Sequence, residues 1–260
     1  MSKIKIRLIT IGHMPPRIDF AKIRCWKSDL FELSGPIDHY SLRCDSDGPS
    51  WEYSDELLKQ QLPPSDSGEC NFTVAIVNVP IEDNWYSRRL GDNEIVFTYY
   101  QIREILAAGN IPLENAALRL LYSYTLVYIR NGNYIPNYDA GMTFTHDETR
   151  GCLFDMNGAK IDIVESCHNP ILCTECEERL SNGRVASRVI NSAKREIRKI
   201  RKPVYYIALD FVKAKPLWAL LISSVYAILL GVVSTFISTY IENAGSQPSS
   251  KGITSRFSGR

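Results

Sequence analysis

Four side chains within residues 146–176, HDETRGCLFDMNGAKIDIVESCHNPILCTEC, have the types and spacing of a zinc site: His146, Cys152, Cys173 and Cys176. Zinc takes thiolate and imidazole ligands in a tetrahedron, and a Cys-x-x-Cys knuckle turns two thiolates toward one ion. The same knuckle serves thiol redox chemistry when it opens a helix after a strand, a pattern that ILCTECEERL (171–180) partly shares. The upstream pair His146 and Cys152 favours the metal, because a chain reversal between residues 152 and 173 would return it to the knuckle. Cys167 and His168 are rival ligands. Four protein ligands close the shell and leave no position for water, so the expected zinc is structural. A hydrolytic site would need an open position, with Asp147 or Glu148 as base beside His146. The chain holds no H-E-x-x-H, no G-x-S-x-G and no P-loop.

A second stretch with chemical potential is PIEDNWYSRRLGDNEIVFT (80–98), directly after an apolar strand. Glu82, Asp83, Asn84, Trp85, Arg88 and Arg89 make it a candidate recognition loop for a protein or a small ligand, since loops at strand ends carry function. The plainer reading is a structural loop whose charges pair locally. His13, at the end of the first strand, would approach the same sheet edge.

The metal motif also carries a family resemblance. Residues 146–180 resemble the end of the archaemetzincin metalloproteases, where a Cys-x4-Cys pair and a short strand follow the protease helix, with a Cys-x-x-Cys before a later helix. CLF (152–154) matches the second cysteine and its strand, CTECEERL (173–180) matches the knuckle and helix start, and His146 stands where the first cysteine would. The upstream order of strand, apolar strand ending in NVP, helix and buried helix is similar too. The H-E-x-x-H-x-x-G-x-x-H helix is absent. The resemblance therefore implies a structural zinc without the catalytic one, in a degenerate, non-proteolytic relative.

These residues need a scaffold. Strands are expected near 3–11, 37–43 and 72–79, and helices at 18–32, 54–61, 98–108 and 113–129, the last opened by Pro112 and apolar on nearly every face. GCLFD and AKIDIV read as short strands around an Asn157-Gly158 turn, and a polar helix should run from Cys176 toward 200. The sum is an α/β or α+β domain: a mixed sheet with packed helices and the Cys/His knuckle. The expected organisation is a zinc-site domain at 1–185, a basic juxtamembrane segment at 186–216, a transmembrane helix at 217–241 and a disordered tail at 242–260.

The helix at 217–241, LWALLISSVYAILLGVVSTFISTYI, has no charge and would reach about 37 Å, enough for a hydrocarbon core of about 30 Å. Trp218 and Tyr240 suit the two interfaces. Basic residues crowd its N-terminal flank, among them Arg195, Arg198, Lys199, Arg201 and Lys202. The positive-inside rule then places the domain in the cytoplasm of a single-pass inner-membrane protein, and the same residues could meet anionic headgroups. Ser223, Ala227, Gly231 and Ser234 recur at three- to four-residue spacing, which permits helix packing and homo-oligomerisation in the bilayer. Near-balanced charge, 30 basic against 29 acidic residues, gives no reason to expect nucleic acid. The start of the chain, with Lys3, Lys5 and Arg7 inside the apolar pattern, is not that of a signal peptide, and seven cysteines in a reducing compartment read as thiols or ligands. The expected function is a membrane-tethered sensor or interaction module, an architecture used in bacterial defence, with a zinc hydrolase or a thiol redox protein as alternatives.

Overall fold

The computed structural model describes residues 2–64, 70–137, 145–147 and 149–245. Its chain divides into two compact units, residues 1–203 and 204–260.

The first unit is a mixed α/β fold. Among the described residues, six strands form one sheet ordered β2-β1-β4-β6-β5, with β3 also paired to β1. β1 (Ile4–Ile11) lies beside β4 (Phe72–Val77), which lies beside β6 (Glu94–Thr98), all parallel. β2 (Phe31–Leu33) and β3 (Asp38–Tyr40) divide one edge of β1 between them, β2 against Ile4–Ile6 and β3 against Ile9–Ile11. β5 (Ser87–Gly91) closes the other edge, antiparallel to β6.

The apolar runs at β1 and β4 dictate a sheet covered on both faces, as parallel strands require. One face presents Ile6, Leu8, Val74, Ile76, Ile95 and Phe97 to a core built on α4 (Glu114–Arg130). The other presents Ile9, Ile11, Ala75, Val77 and Val96 to Leu58 of α2 (Asp55–Gln61). α4 is buried from Glu114 to Tyr128, as its apolar circumference demands. Around it lie α1 (Phe20–Arg24), α3 (Ile102–Ala108), α5 (Ile163–His168), α6 (Thr174–Asn182) and α7 (Ser187–Ile197). α7 sends Val189, Ile190, Ala193 and Ile197 into the same core.

Three sequence expectations give way. The helix expected over 18–32 ends at Arg24, because Ser28 Oγ accepts from the amides of Leu30 and Phe31 and turns the chain into β2. Residues 87–98 form the hairpin β5–β6 in place of a loop, its turn made by Gly91, Asp92 and Asn93 at φ 86°, 51° and 61°. The expected hairpin at 151–164 is not one. The chain there makes single bridges, and residues 160–162 form a 3-10 turn leading into α5.

The second unit contains α8 (Val204–Ala214) and α9 (Pro216–Gly245). α9 is long and apolar enough, over Pro216–Ile241, to cross a membrane, and none of that stretch is buried by protein. Of the tail expected to be disordered over 242–260, residues 242–245 continue α9, and the rest lies outside the described residues.

Candidate metal centre

The site is assembled from one helix start and three crossing segments. Cys173 sits at the N-cap of α6 and Cys176 in its first turn, which is why the two-residue spacing brings the thiols together. Residues 152–154 run between two partners. On one side Leu153 N donates to Ile171 O (2.9 Å) and Ile171 N to Gly151 O (2.9 Å). On the other, His146 N donates to Phe154 O (3.0 Å) and Met156 N to His146 O (2.8 Å). Gly151, at φ 84°, makes the sharp entry that a side chain would strain.

The four expected ligands converge. One donor atom each from His146, Cys152, Cys173 and Cys176 lies within 4.8 Å of the others. The two sulfurs of Cys152 and Cys176 are 3.8 Å apart, and Cys173 Sγ is 3.5 Å from His146 Nε2. A tetrahedron with Zn–S of about 2.3 Å and Zn–N of about 2.0 Å has sulfur–sulfur edges of about 3.8 Å and sulfur–nitrogen edges of about 3.5 Å. Donor type and donor spacing therefore both fit zinc. Cys152 and Cys176 are buried, His146 is 8% exposed, and Cys173 is half-buried.

Protonation in this cluster is uneven. The hydrogen bond with Cys176 pulls the Cys152 thiol down to about 5, against the opposing effect of burial. The same bond pushes Cys176 far up, and burial pushes Cys173 up. A dication replaces those shared protons by charge, the usual linkage between metal binding and thiol ionisation.

The rival ligands lie elsewhere. Cys167 is enclosed in the core on α5, where burial pushes its thiol up to about 12. His168 Nδ1 accepts from Lys202 N at 3.4 Å. Of the two candidate bases, Asp147 pairs with Arg150 (3.0 Å), and Glu148 lies outside the described residues.

The charged residues of 80–98 are drawn into local pairs. Arg88, 5% exposed, binds Asp55 (2.7 Å), Glu82 (3.2 Å) and Asp83 (3.4 Å). Asn84 Oδ1 accepts from Lys160 Nζ (2.7 Å), and Arg89 donates to Pro136 O (3.0 Å). Trp85 is half-buried beside the α2-side core. In the basic run, Arg195 pairs with Asp29 (2.7 Å), Arg198, Lys199 and Arg201 are exposed, and Lys202 is half-buried. His13 is exposed.

Sequence reasoning missed Arg119 and Asp155. Arg119 is the one charge of α4 between Glu114 and Arg130, and it is 1% exposed. A lone arginine inside an all-apolar helix was the available signal. Its guanidinium donates to Leu153 O (3.3 Å) and Asp155 O (3.2 Å), carbonyls of the segment that also bears Cys152. Cys152 and the carbonyls that hold Arg119 thus share one segment.

Neither a family model nor a curated protein matches this chain. Among solved structures, the archaemetzincin AmzA from Methanopyrus kandleri is similar, with 12% identity and a TM-score of 0.42 over 70% of this chain and 95% of that one.

Proposed function

We propose that the protein is a zinc-binding domain, anchored in a membrane by α9, that works by binding and not by hydrolysis. The observation that carries this reading is the closed donor set: one imidazole and three thiol sulfurs within 4.8 Å of one another, with one S–S and one S–N pair at the spacing of a zinc tetrahedron. Four protein ligands occupy every position of a tetrahedral ion, and a hydrolytic zinc keeps one for water. A zinc here would clamp residues 146–156 against the start of α6. Its contribution would be to shape what those residues line.

The anchoring half of the reading rests on α9 and its flanks. Lys194, Arg195, Arg198, Lys199, Arg201 and Lys202 precede the span, which on the positive-inside rule sets the first unit on the cytoplasmic face of an inner membrane. Bilayer lipid is then the constitutive partner of residues 217–241. Self-association through Ser223, Ala227, Gly231 and Ser234 would gather several copies. A tethered binding module that assembles on a signal suits a sensor in bacterial defence or signalling.

The test is metal stoichiometry of the full chain in detergent, purified without added metal. The expected result is one zinc per chain, lost in Cys173→Ser and Cys152→Ser and weakened in His146→Ala. A stable Cys173–Cys176 disulfide in place of metal would favour redox chemistry. Zinc-dependent hydrolysis abolished by Glu148→Gln with the zinc retained would replace the binding reading with the enzymatic one.

A further inference from the structure

Behind β5, between that strand, α4 and the segment 153–156, lies a cavity of about 90 Å³. Its lining includes Tyr86 and Phe154, the buried Arg88 and Arg89 already engaged as described above, and two further buried ionic groups, Arg119 and Asp155.

Neither ionic group is complete. Arg119 has five N–H donors. Its acceptors are Leu153 O, Asp155 O and the Tyr86 hydroxyl (3.4 Å), with the Tyr86 ring 5.3 Å from the guanidinium carbon. No carboxylate pairs with it among the described residues, and its Nε has no partner. Asp155 is 0% exposed. Its Oδ1 accepts from Arg150 (3.0 Å) and Asn157 N (3.1 Å), while Oδ2 has no partner. Leaving a buried polar atom unsatisfied is costly, and more so when it is charged. Arg119 and Asp155, each with one orphaned polar atom, thus line the same small cavity without bonding each other through their side chains.

The complement of such a pair is a molecule with an anionic acceptor and a cationic donor held close together. A plain anion would satisfy Arg119 and meet the Asp155 carboxylate, and a plain amine would do the reverse. A peptide separates its two charged ends by its own length. We propose that this cavity binds a free α-amino acid, its carboxylate on the Arg119 guanidinium and its ammonium on the Asp155 carboxylate, with the apolar wall taking a small side chain. The idea deepens the binding reading above, because the zinc-clamped segment is the one that presents Asp155 and the two carbonyls that hold Arg119.

The test is calorimetric titration of the full chain in detergent with L-alanine and L-leucine. Propionate and ethylamine serve as the matched ligands lacking one charge each, and inorganic phosphate as a plain anion. The expected result is that one of the amino acids binds at least tenfold more tightly than propionate, ethylamine or phosphate. Asp155→Asn and Arg119→Met should each weaken it at least tenfold while circular dichroism and zinc content hold. If a variant fails to fold, the ligand series on the unmodified chain decides alone. No heat with either amino acid, or equal binding of propionate or phosphate, would overturn the proposal and leave a cavity that holds water or a simple anion. Zinc content is read in the same samples. Zinc without amino-acid binding sinks this inference alone, and amino-acid binding without zinc sinks the metal reading alone.

Discussion

Glu196 and Arg119 are both charged and buried, and they show opposite solutions to the same problem. Glu196 sits inside the basic run KREIRKIRK, yet it faces the core and accepts from Ser28 Oγ (2.7 Å), Tyr122 Oη (2.7 Å) and Asp29 N (2.9 Å). Tyr122 takes a further bond from Trp26 Nε1 (2.9 Å), and burial pushes its hydroxyl pKa up. Glu196→Ala leaves these donors facing an apolar gap and should cost about 3 kcal/mol, read as a lower urea midpoint. Lys160 is a third case. It is 9% exposed, bonded to Asn84 and to Tyr100 O (3.3 Å), and burial lowers its ammonium to about 8. The folded value lies below that of an unfolded lysine, so the chain is penalised while Lys160 is protonated and relieved as pH rises from about 8 to about 10.4. The stability of the unmodified chain minus that of Lys160→Met should be flat below that window and climb across it. Thermal unfolding of the two proteins at stepped pH measures the difference, and a flat profile would place the amine in solvent.

At the scale of elements, legibility followed how much of a segment's burial its own side chains announce. β1, β4, α2, α3 and α4 declare themselves by apolar periodicity, and the four metal ligands by type and spacing. The β5–β6 hairpin hides because its buried positions include Arg88 and Arg89, polar in sequence, whose partners include Asp55 and Pro136 far along the chain. α7 falls within the polar helix expected from Cys176 toward 200, but its break from α6 and its packing hide for a related reason. Its apolar residues fall on one face of a helix whose other face carries the basic run, and topology explained that charge without any packing. The Asn157-Gly158 pair misled in the other direction. Asn157 does adopt φ 50°, but Asp155 accepts from its amide and its side chain, so the turn serves a buried carboxylate instead of a strand pair. The real hairpin turn is open to test at Asn93, which has φ 61° and accepts from Ile135 N (2.8 Å). Asn93→Ala removes both the tolerated left-handed residue and that bond. It should cost about 1–2 kcal/mol in chemical denaturation, with Asn93→Asp retaining most of the stability.

For the whole molecule, the division at residue 203 predicts a separable behaviour. The full chain expressed in bacteria should stay with membranes through alkaline carbonate extraction, and a chain ending at Pro203 should be released. A full-length chain found in the supernatant would remove the anchor. On the proposed positive-inside orientation, protease applied outside intact spheroplasts should trim only the tail beyond Ile241. The order of the elements adds a consequence in time. Among the described residues, every candidate metal ligand and every buried residue of the core precedes α9. At about 5–20 residues per second, Cys176 leaves the peptidyl-transferase centre seconds before Pro216 is added. If α9 is the anchor, the α/β unit is therefore synthesised whole, its candidate knuckle included, before the segment that would commit the chain to a bilayer is complete.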